Sequence, residues 1–310
     1  MNQTASPLLA RRPAAWRVAL AFMLVYLSWG TTFFAIRAGV HTYGLPPALF
    51  GGVRVSLAGW MLLGYLWLRG ERLGMPRRDV FWVIVAGLLF FIGGNGLLTA
   101  AMGRVPSGIG SLLGATTPLW MALVELALPW GERLTPRGWL GLVVGMSGVL
   151  FLMMPKMQDA QGFAPDTGHL FLLGSSVTWA LGSVIVRHRR GSGSHLAVAG
   201  YQMVAGGSAL ALIGLGLGEM QELTPDKLVP GALASFLYLL VFGSLVGFVA
   251  FNWLLGHVPA ALVGTYAYVN PLVAVLVGRL LGGEELDGWI AGGMVVILTG
   301  VALVRGAGVR

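Results

Sequence analysis

The sequence contains no cysteine and few charged residues. Of its 310 residues, 10% are charged and 56% are hydrophobic, and the mean hydropathy is +0.79. The absence of cysteine excludes disulfides and thiolate metal sites. The shortage of charge leaves too little polar surface to cover a soluble globule of this length. We therefore expect an all-α integral membrane protein that is surrounded by the lipid bilayer.

The few charged residues are mostly basic, and the formal net charge is +8. Nucleic-acid binding would require these residues to gather on one solvated face, whereas they occur in short runs between apolar segments. No G-x-x-x-x-G-K-[ST] phosphate loop occurs. No two His, Asp or Glu residues within the apolar segments have metal-ligand or acid–base spacing. These patterns argue against a nucleic-acid partner, an ATPase and a membrane enzyme.

The apolar residues fall into long runs separated by short connections. A hydrocarbon core about 30 Å thick requires roughly 20 apolar residues in each helix. Runs of this kind occupy residues 18–37, 46–68, 80–102, 107–128, 137–155, 168–187, 196–217, 231–254, 259–281 and 288–305. We predict ten transmembrane helices, five in residues 16–155 and five in residues 168–305.

The two predicted halves contain related sequences. Residues 105–132 align with residues 258–285 at an offset of 153, with 8 identical positions out of 28. Trp29 in the first helix aligns with Trp179 in the sixth at an offset of 150. A repeat with this spacing indicates two structurally similar halves.

Basic residues are distributed unevenly among the connections. If the N-terminus is cytoplasmic, the inner side holds 14 basic residues and the outer side 5, with Arg54 inside a helix, which accounts for all 20. The positive-inside rule then places both termini in the cytoplasm. Because each half has an odd number of helices, the second half enters the membrane from the opposite side. Such inverted repeats indicate alternating access to a central site.

Several of these features resemble a known family. The paired five-helix units, Trp29-Gly30, Arg54 in the second helix, and the Pro118–Glu132 segment echoed by Pro271–Glu285 resemble the EamA branch of the drug/metabolite transporter superfamily. The resemblance covers nearly the whole chain. It implies a multi-pass inner-membrane exporter of small molecules that needs no cofactor and no obligate protein partner. Within the family, the chain is most similar to the YddG-type exporters of aromatic and other neutral amino acids.

A multidrug exporter of cations, with or without proton coupling, is the alternative function for the same fold. Such a protein usually needs a buried carboxylate, and carboxylates are scarce in the predicted helices, which favours neutral or zwitterionic substrates. A zwitterionic amino acid needs donors, acceptors, aromatic faces and an apolar surface. The predicted substrate-binding residues are Tyr26, Trp29, Phe33, Asn95, Thr99, Thr117, Trp179, Ser183, Asn252, Tyr266 and Asn270.

The aromatic candidates lie on matching helix faces. Tyr26, Trp29 and Phe33 share one face of the first helix, and Trp179 and Ser183 share the equivalent face of the sixth. Both tryptophans are about 11 residues inside their helices, roughly 16 Å deep at 1.5 Å per residue, and so lie below the interface where tryptophan is common. We expect both indoles to face one cavity, with simple aromatic packing as the alternative.

Buried amides and hydroxyls form a second group of candidates. Asn95 and Thr99 share a face of the third helix, and Asn252 occupies the position of Thr99 in the second half. A buried amide costs free energy in lipid unless it is hydrogen-bonded. These residues therefore contact either the substrate or a neighbouring helix.

Thr117-Pro118 and Asn270-Pro271 place proline near the centre of equivalent helices. Proline removes a backbone hydrogen bond and leaves the carbonyl four residues earlier without its usual donor. Tyr266 lies one turn before Asn270 and adds a hydroxyl and an aromatic face. Paired discontinuities predict hinges or gates beside a transport site, and a static kink is the alternative.

Two charged residues lie inside predicted helices, where each is costly unless it is paired or hydrated. Arg54, whose repeat partner is Gln202, either binds a substrate carboxylate or donates to helix carbonyls. Glu125 lies near the cytoplasmic end of the fourth helix. It either reaches the interface, with Arg133 as its partner, or couples transport to a proton. The predicted depths, about 12 and 27 Å, exclude a direct pair between Arg54 and Glu125.

Overall fold

The structure is a computed structural model, and it describes residues 13–102, 104–105, 107–158, 167–189, 191, 193–282 and 288–307. Helices occupy most of this part of the chain, and no β-strand occurs in it. The fold is therefore all-α, as the composition predicts.

The principal helices follow one another with short connections, and two of them, α4 and α9, are each broken into two segments. They are α1 (Ala15–Arg37), α2 (Pro47–Leu68), α3 (Arg77–Met102), α4 (Ser107–Gly114 and Thr117–Ala127), α5 (Pro136–Gln158), α6 (Thr167–Arg189), α7 (His195–Gly216), α8 (Pro230–Leu255), α9 (Ala260–Gly264 and Tyr266–Gly282) and α10 (Gly288–Arg305).

Local sequence signals set several of the helix ends. Pro47 and Pro230 occupy first helical positions, where the missing N–H has no intrahelical role. The hydroxyl oxygen of Ser194 accepts a 3.2 Å hydrogen bond from the backbone nitrogen of Ala197 and so caps the start of α7. Gly218 follows the end of α7 with φ of 81°, a left-handed conformation that favours glycine.

Six helices in the described ranges are long and apolar enough to cross a membrane: α1 with its π-helical extension to Thr42, α2, α3, α6, α7 and α8. Shorter apolar helices lie in α4, α5, α9 and α10, at Leu112–Ala127, Pro136–Leu152, Ala260–Val273 and Ala291–Arg305. The chain is a multi-pass membrane protein. The ten crossings and the cytoplasmic termini remain predictions.

Both α3 and α8 contain a π-helical segment, at Leu89–Gly96 and Leu239–Phe248. The two segments begin 150 positions apart, so the same irregularity occurs in both halves. The sequence predicted regular helices here, because the period of apolar residues does not separate an α-helix from a π-helix. π-Helical turns are frequent at functional sites.

The two halves interlock. Helix α1 packs against α8 and the second segment of α9, and α6 makes the matching contacts with α3 and the second segment of α4. Helix α2 pairs with α7, and α5 pairs with α10. A Cβ atom added to Gly52 would lie 2.3 Å from the nitrogen of Ala211, and one added to Gly59 would lie 2.7 Å from the nitrogen of Val204. Glycine therefore permits this close approach, and the two equivalent helices α2 and α7 run antiparallel.

The breaks in α4 and α9 differ in their position relative to proline. Helix α4 breaks at residues 115–116, directly before Pro118, whereas α9 breaks at Thr265 and contains Pro271 inside its second segment. At the repeat offset of 153, the break in α4 corresponds to residues 268–269, so the break in α9 lies three to four positions earlier in the repeat.

A side chain satisfies the carbonyl that Pro118 was expected to leave without a donor. The hydroxyl of Thr117 donates to the carbonyl oxygen of Gly114, at 2.7 Å. The residue before the proline thus replaces the missing backbone N–H, which explains how the break is tolerated inside an apolar bundle.

Two hydrophobic clusters lie towards opposite ends of α1. One contains Ile36, Phe50, Met102, Leu172 and Leu239, and the other contains Ala21, Val25, Val186, Leu254 and Leu255. We call the end where α1 finishes and α2 begins the upper end. The end where α1 begins and α6 finishes is the lower end.

Candidate functional site

A cavity lies between the two halves, lined towards the upper end by Ile36, Leu172 and Leu239 and towards the lower end by aromatic residues. It holds about 930 Å³ of space including its opening to solvent. Its polar and aromatic lining residues are Trp29, Thr32, Arg54, Phe91, Asn95, Thr117, Ser175, Ser176, Trp179, Ser244, Phe248, Tyr266 and Asn270. None of the described lining residues is an aspartate or a glutamate.

Aromatic rings from both halves form the lower wall of the cavity, which we call the aromatic floor: Trp29, Trp179, Phe248 and Tyr266. The rings of Trp29 and Trp179 meet edge to face, with centroids 5.4 Å apart, and those of Trp29 and Tyr266 are 4.7 Å apart. Phe251 packs 4.9 Å from Trp29. Edge-to-face contacts of this kind fix ring orientation, so the floor is a pre-formed apolar surface.

A glycine from the opposite half positions each tryptophan of the floor. A Cβ atom on Gly247 would lie 2.4 Å from Nε1 of Trp29, and one on Gly94 would lie 2.6 Å from Cε3 of Trp179. The two glycines are 153 positions apart, the offset of the repeat, and both belong to the π-helical segments. Only glycine leaves room for an indole against these segments.

Arg54 lies in the cavity wall beside the floor. Its side chain is 3% exposed. Nη1 donates to the carbonyl oxygen of Leu239, at 3.3 Å, and to the hydroxyl of Ser244, at 3.1 Å. Nη2 donates to Oδ1 of Asn95, at 3.4 Å. Arg54 therefore connects the two π-helical segments, and donation to a helix carbonyl was one of its two predicted roles.

The structure brings together only some of the predicted substrate-binding residues. The cavity is lined by Trp29, Asn95, Thr117, Trp179, Tyr266 and Asn270. Tyr26, Thr99, Ser183 and Asn252 do not line it. The side chain of Phe33 lies outside the described part of the structure. Pro118 and Pro271 are buried and also lie outside the lining.

The predicted residues outside the lining have partners within the protein. Tyr26 shares a hydrogen bond of 3.2 Å with Thr265, and Thr99 donates to the carbonyl of Asn95. Ser183 donates to the carbonyl of Trp179, and Asn252 to that of Phe248. Shared helix faces did place them near the site, but each group points to its own helix or to a neighbour. Sequence periodicity does not resolve that difference.

The sequence analysis missed the contribution of the π-helical segments. Ser244, Phe91 and Phe248 enter the lining through them, and Thr32 enters from α1. The available signal was the glycine-rich stretch Gly93–Gly96, because glycine is unfavourable in a regular helix interior and marks a special local geometry.

A polar cluster of Glu125, His188, Glu132 and Arg187 lies at the lower end of the bundle. Glu125 is 2% exposed, and its carboxylate lies 2.8 Å from Nε2 of His188 and accepts from the backbone nitrogen of Glu132, at 2.9 Å. The expectation that Glu125 reaches the interface and pairs with Arg133 is therefore wrong. It is wrong because α4 ends at Ala127 and the following loop folds back over the carboxylate.

Glu132 and Arg187 form the second part of this polar cluster. Nε of Arg187 donates to Oε1 of Glu132 at 3.1 Å, Nη2 contacts the same oxygen, and Nη1 donates to the carbonyl of Leu255 at 3.2 Å. The loop after α4 in the first half is thus tied to α6 and α8 in the second half. Within the described ranges, no group of three His, Asp or Glu residues could hold a metal ion.

Comparisons with known proteins identify related chains. The EamA-like transporter family model matches residues 16–154 and 166–306, one match in each half. The uncharacterised inner membrane transporter YedA of Escherichia coli (strain K12) is 36% identical over 283 residues, which cover 89% of this chain and 87% of YedA.

More distant relatives extend over similar lengths. Protein PecM of Dickeya dadantii is 29% identical over 293 residues, which cover 89% of this chain and 88% of PecM. A solved crystal structure superposes with a TM-score of 0.75 at 23% sequence identity, over 92% of this chain and 95% of that one. This last likeness shows the same fold.

Proposed function

Since the chain belongs to the EamA-like transporter family, we propose that it exports amino acids, aromatic and other neutral ones, across the inner membrane. In this proposal ten helices cross the bilayer as two inverted five-helix repeats, with both termini in the cytoplasm. The antiparallel pairing of α2 with α7 supports that arrangement, because an inverted repeat turns equivalent helices in opposite directions.

The aromatic floor beneath a polar cavity is the observation that carries the proposal. Trp29, Trp179 and Tyr266 offer ring faces and edges for an apolar or aromatic side chain. Asn95, Asn270 and several hydroxyls above the floor offer neutral donors and acceptors. A cavity with these two properties suits a small zwitterion that carries an apolar side chain.

The electrostatics of the lining favour amino acids over the alternative substrate, a multidrug cation. The described lining residues include the guanidinium of Arg54 and no carboxylate. In a poorly hydrated cavity, a fixed positive charge repels a cation strongly. Aromatic faces attract cations more weakly than a carboxylate would.

Alternating access requires that the two ends of the bundle open in turn. The cavity lies towards the upper end, and the aromatic floor and the polar cluster of Glu125, His188, Glu132 and Arg187 lie on its lower side. We propose that rocking of the halves separates Glu132 from Arg187 and opens the lower end. The broken helices α4 and α9, with Pro118 and Pro271, are the proposed hinges.

Flux of radiolabelled phenylalanine across proteoliposomes, with no ion gradient imposed, tests the function. We expect flux that equalises the two concentrations and is slowed by other neutral amino acids. In that case Glu125 has no coupling role. A lipophilic cation is measured in parallel. Flux of the cation without flux of phenylalanine would reject amino-acid export and move the assignment to drug export.

A further inference from the structure

Arg54 is a buried cation whose charge no described carboxylate balances. It lines the cavity and is 3% exposed, and the ion pairs in the described ranges join other residues. A charge within a membrane bundle is costly unless it is paired or hydrated, and such residues commonly mark substrate pathways. The partners of Arg54 are all neutral.

The hydrogen bonds of Arg54 leave two N–H donors of the guanidinium unused. A guanidinium has five N–H donors. Nη1 uses two of them and Nη2 uses one, and Nε is buried without a partner. The unused donors are therefore the Nε–H and one Nη2–H. A pair of N–H groups on the guanidinium is the arrangement that binds a carboxylate with two parallel hydrogen bonds.

We propose that Arg54 binds the free carboxylate of the transported substrate, so that a carboxylate is the group by which the cavity selects its substrates. This inference rests on the proposed export of amino acids and adds the recognised group. The substrate carboxylate supplies the missing counter-charge, and the neutral partners of Arg54 hold the guanidinium in place.

Two other buried polar atoms of the lining also lack a partner, and they define the rest of the subsite. Nε1 of Trp179 is a donor and Oδ1 of Asn270 is an acceptor. The acceptor suits the ammonium of an amino acid, and the indole N–H adds a donor for its carboxylate.

One residue, Gly243, lies against both Arg54 and the aromatic floor. Gly243 touches both groups: its carbonyl accepts from Nε1 of Trp29 at 3.0 Å, and a Cβ atom at this position would lie 3.3 Å from Nη1 of Arg54. The guanidinium and the nearest indole are therefore separated by a single residue. Arg54, Trp29 and Tyr266 all line the same cavity, so one small substrate can contact both the guanidinium and the aromatic floor.

An analogue series on the wild-type protein tests the proposal without any substitution. Phenylalanine, phenylalaninamide and 3-phenylpropionate are compared as competitors of labelled phenylalanine flux and as stabilisers of the purified protein against heating. Loss of a charged hydrogen-bonding group weakens binding about 10- to 100-fold. We expect that weakening for the amide and a smaller one for 3-phenylpropionate, which keeps the carboxylate and lacks the ammonium.

Substitutions then assign the effect to Arg54. In Arg54→Lys the charge remains and the paired donors are lost, and in Arg54→Gln both are lost. We expect stabilisation by 3-phenylpropionate to fall in Arg54→Lys and to disappear in Arg54→Gln. Ser56→Ala is the matched control, since Ser56 lies on the same helix and contacts Ser208 at 3.1 Å outside the cavity lining.

The outcomes separate this proposal from the proposed function. Equal competition by phenylalanine and its amide would overturn the carboxylate role of Arg54 and leave amino-acid export intact. Absence of phenylalanine flux, with Arg54-dependent stabilisation by 3-phenylpropionate, would overturn amino-acid export and support the carboxylate site. Failure of both carboxylates to stabilise the wild-type protein would overturn the carboxylate site. Unchanged stabilisation in a folded Arg54→Gln protein would also overturn it.

Discussion

Trp29 and Trp179 meet edge to face at the centre of the molecule, and only one of the two indole nitrogens has a partner. Nε1 of Trp29 donates to the carbonyl of Gly243, at 3.0 Å, whereas Nε1 of Trp179 is buried without one. The repeat thus brings equivalent side chains together, but their hydrogen bonding differs. Trp29 holds the halves together, and Trp179 keeps a free donor in the cavity wall.

Replacing each tryptophan with phenylalanine separates the structural role of Trp29 from the binding role of Trp179. Trp29→Phe leaves the carbonyl of Gly243 without its donor, so we expect destabilisation by about 1–3 kcal/mol. Trp179→Phe removes an N–H that has no partner in the protein, so we expect little change in stability and weaker phenylalanine binding. Thermal unfolding and concentration-dependent flux measure the two effects. An equal loss of stability in both variants would contradict these different roles of the two indole N–H groups.

Truncating the same residues to alanine tests the aromatic floor itself. Trp29→Ala and Trp179→Ala each remove a ring from it, and we expect both to impair phenylalanine flux in protein that still folds. Because Trp29 is more deeply buried and is hydrogen-bonded, its loss costs more stability, about 3–5 kcal/mol for a core aromatic. Wild-type flux in both variants would reject the floor as part of the substrate site.

Gly247 and Gly94 should not tolerate a methyl group. Gly247→Ala brings a Cβ atom to 2.4 Å from the indole of Trp29, and Gly94→Ala brings one to 2.6 Å from that of Trp179. Such overpacking costs about 1–3 kcal/mol and displaces the ring. We expect reduced phenylalanine flux in both. Gly64→Ala is the control, because a Cβ atom on this helical glycine meets nothing within 4 Å. An equal loss of phenylalanine flux in Gly64→Ala would contradict the explanation by overpacking against the indoles.

The ion pair of Glu132 with Arg187 should hold the lower end closed. The chain has no cysteine, so Ser183→Cys introduces a single thiol at a fully buried position one turn before Arg187. Glu132→Gln in that background weakens a charged hydrogen bond of about 1.5 kcal/mol. The equilibrium between the closed and the open lower end then shifts roughly tenfold towards the open form, in which the thiol can react. We expect maleimide labelling to accelerate by about that factor. Glu71→Gln, at an exposed carboxylate of the same end, should leave the labelling rate unchanged.

His188 should stabilise the protein through Glu125 without contributing to substrate affinity. His188→Ala leaves the carboxylate with only the backbone nitrogen of Glu132 as a partner. Removing one partner from a buried polar group costs about 1–3 kcal/mol. We expect a lower melting temperature and an unchanged half-saturation concentration for phenylalanine, since neither residue lines the cavity. A changed half-saturation concentration at wild-type stability would place this cluster in the transport site.

The helical class, the membrane location and the family follow from local and repeated sequence patterns. Long apolar runs predicted the positions of α1 to α10 closely, because burial in lipid demands the same continuous run of apolar residues wherever a helix lies. Because Trp179 occupies the position of Trp29 in the second half, the sequence predicted two indoles on equivalent helix faces. In the structure their ring centroids are 5.4 Å apart.

The side-chain contacts that the sequence did not predict depend on how each helix is rotated and on the path of the loops. Ser183 and Trp179 share a face of α6, yet only Trp179 lines the cavity, and Ser183 is fully buried among other residues. The partner of Glu125 is His188, 63 positions away, and the loop that covers the carboxylate is fixed by the end of α4. Such contacts follow from helix rotation and loop path, which apolar periodicity leaves open.

The sequence by itself determined that this protein is a helical membrane protein built from two related halves, because a bilayer accepts only long apolar helices and a repeat is visible in the residues themselves. Only the tertiary structure decided which polar groups meet. It placed two π-helical segments beside Arg54 and left two of the guanidinium N–H donors unused. Hydrogen bonds are short and directional, so their partners are settled by the packing of helices that lie far apart in sequence.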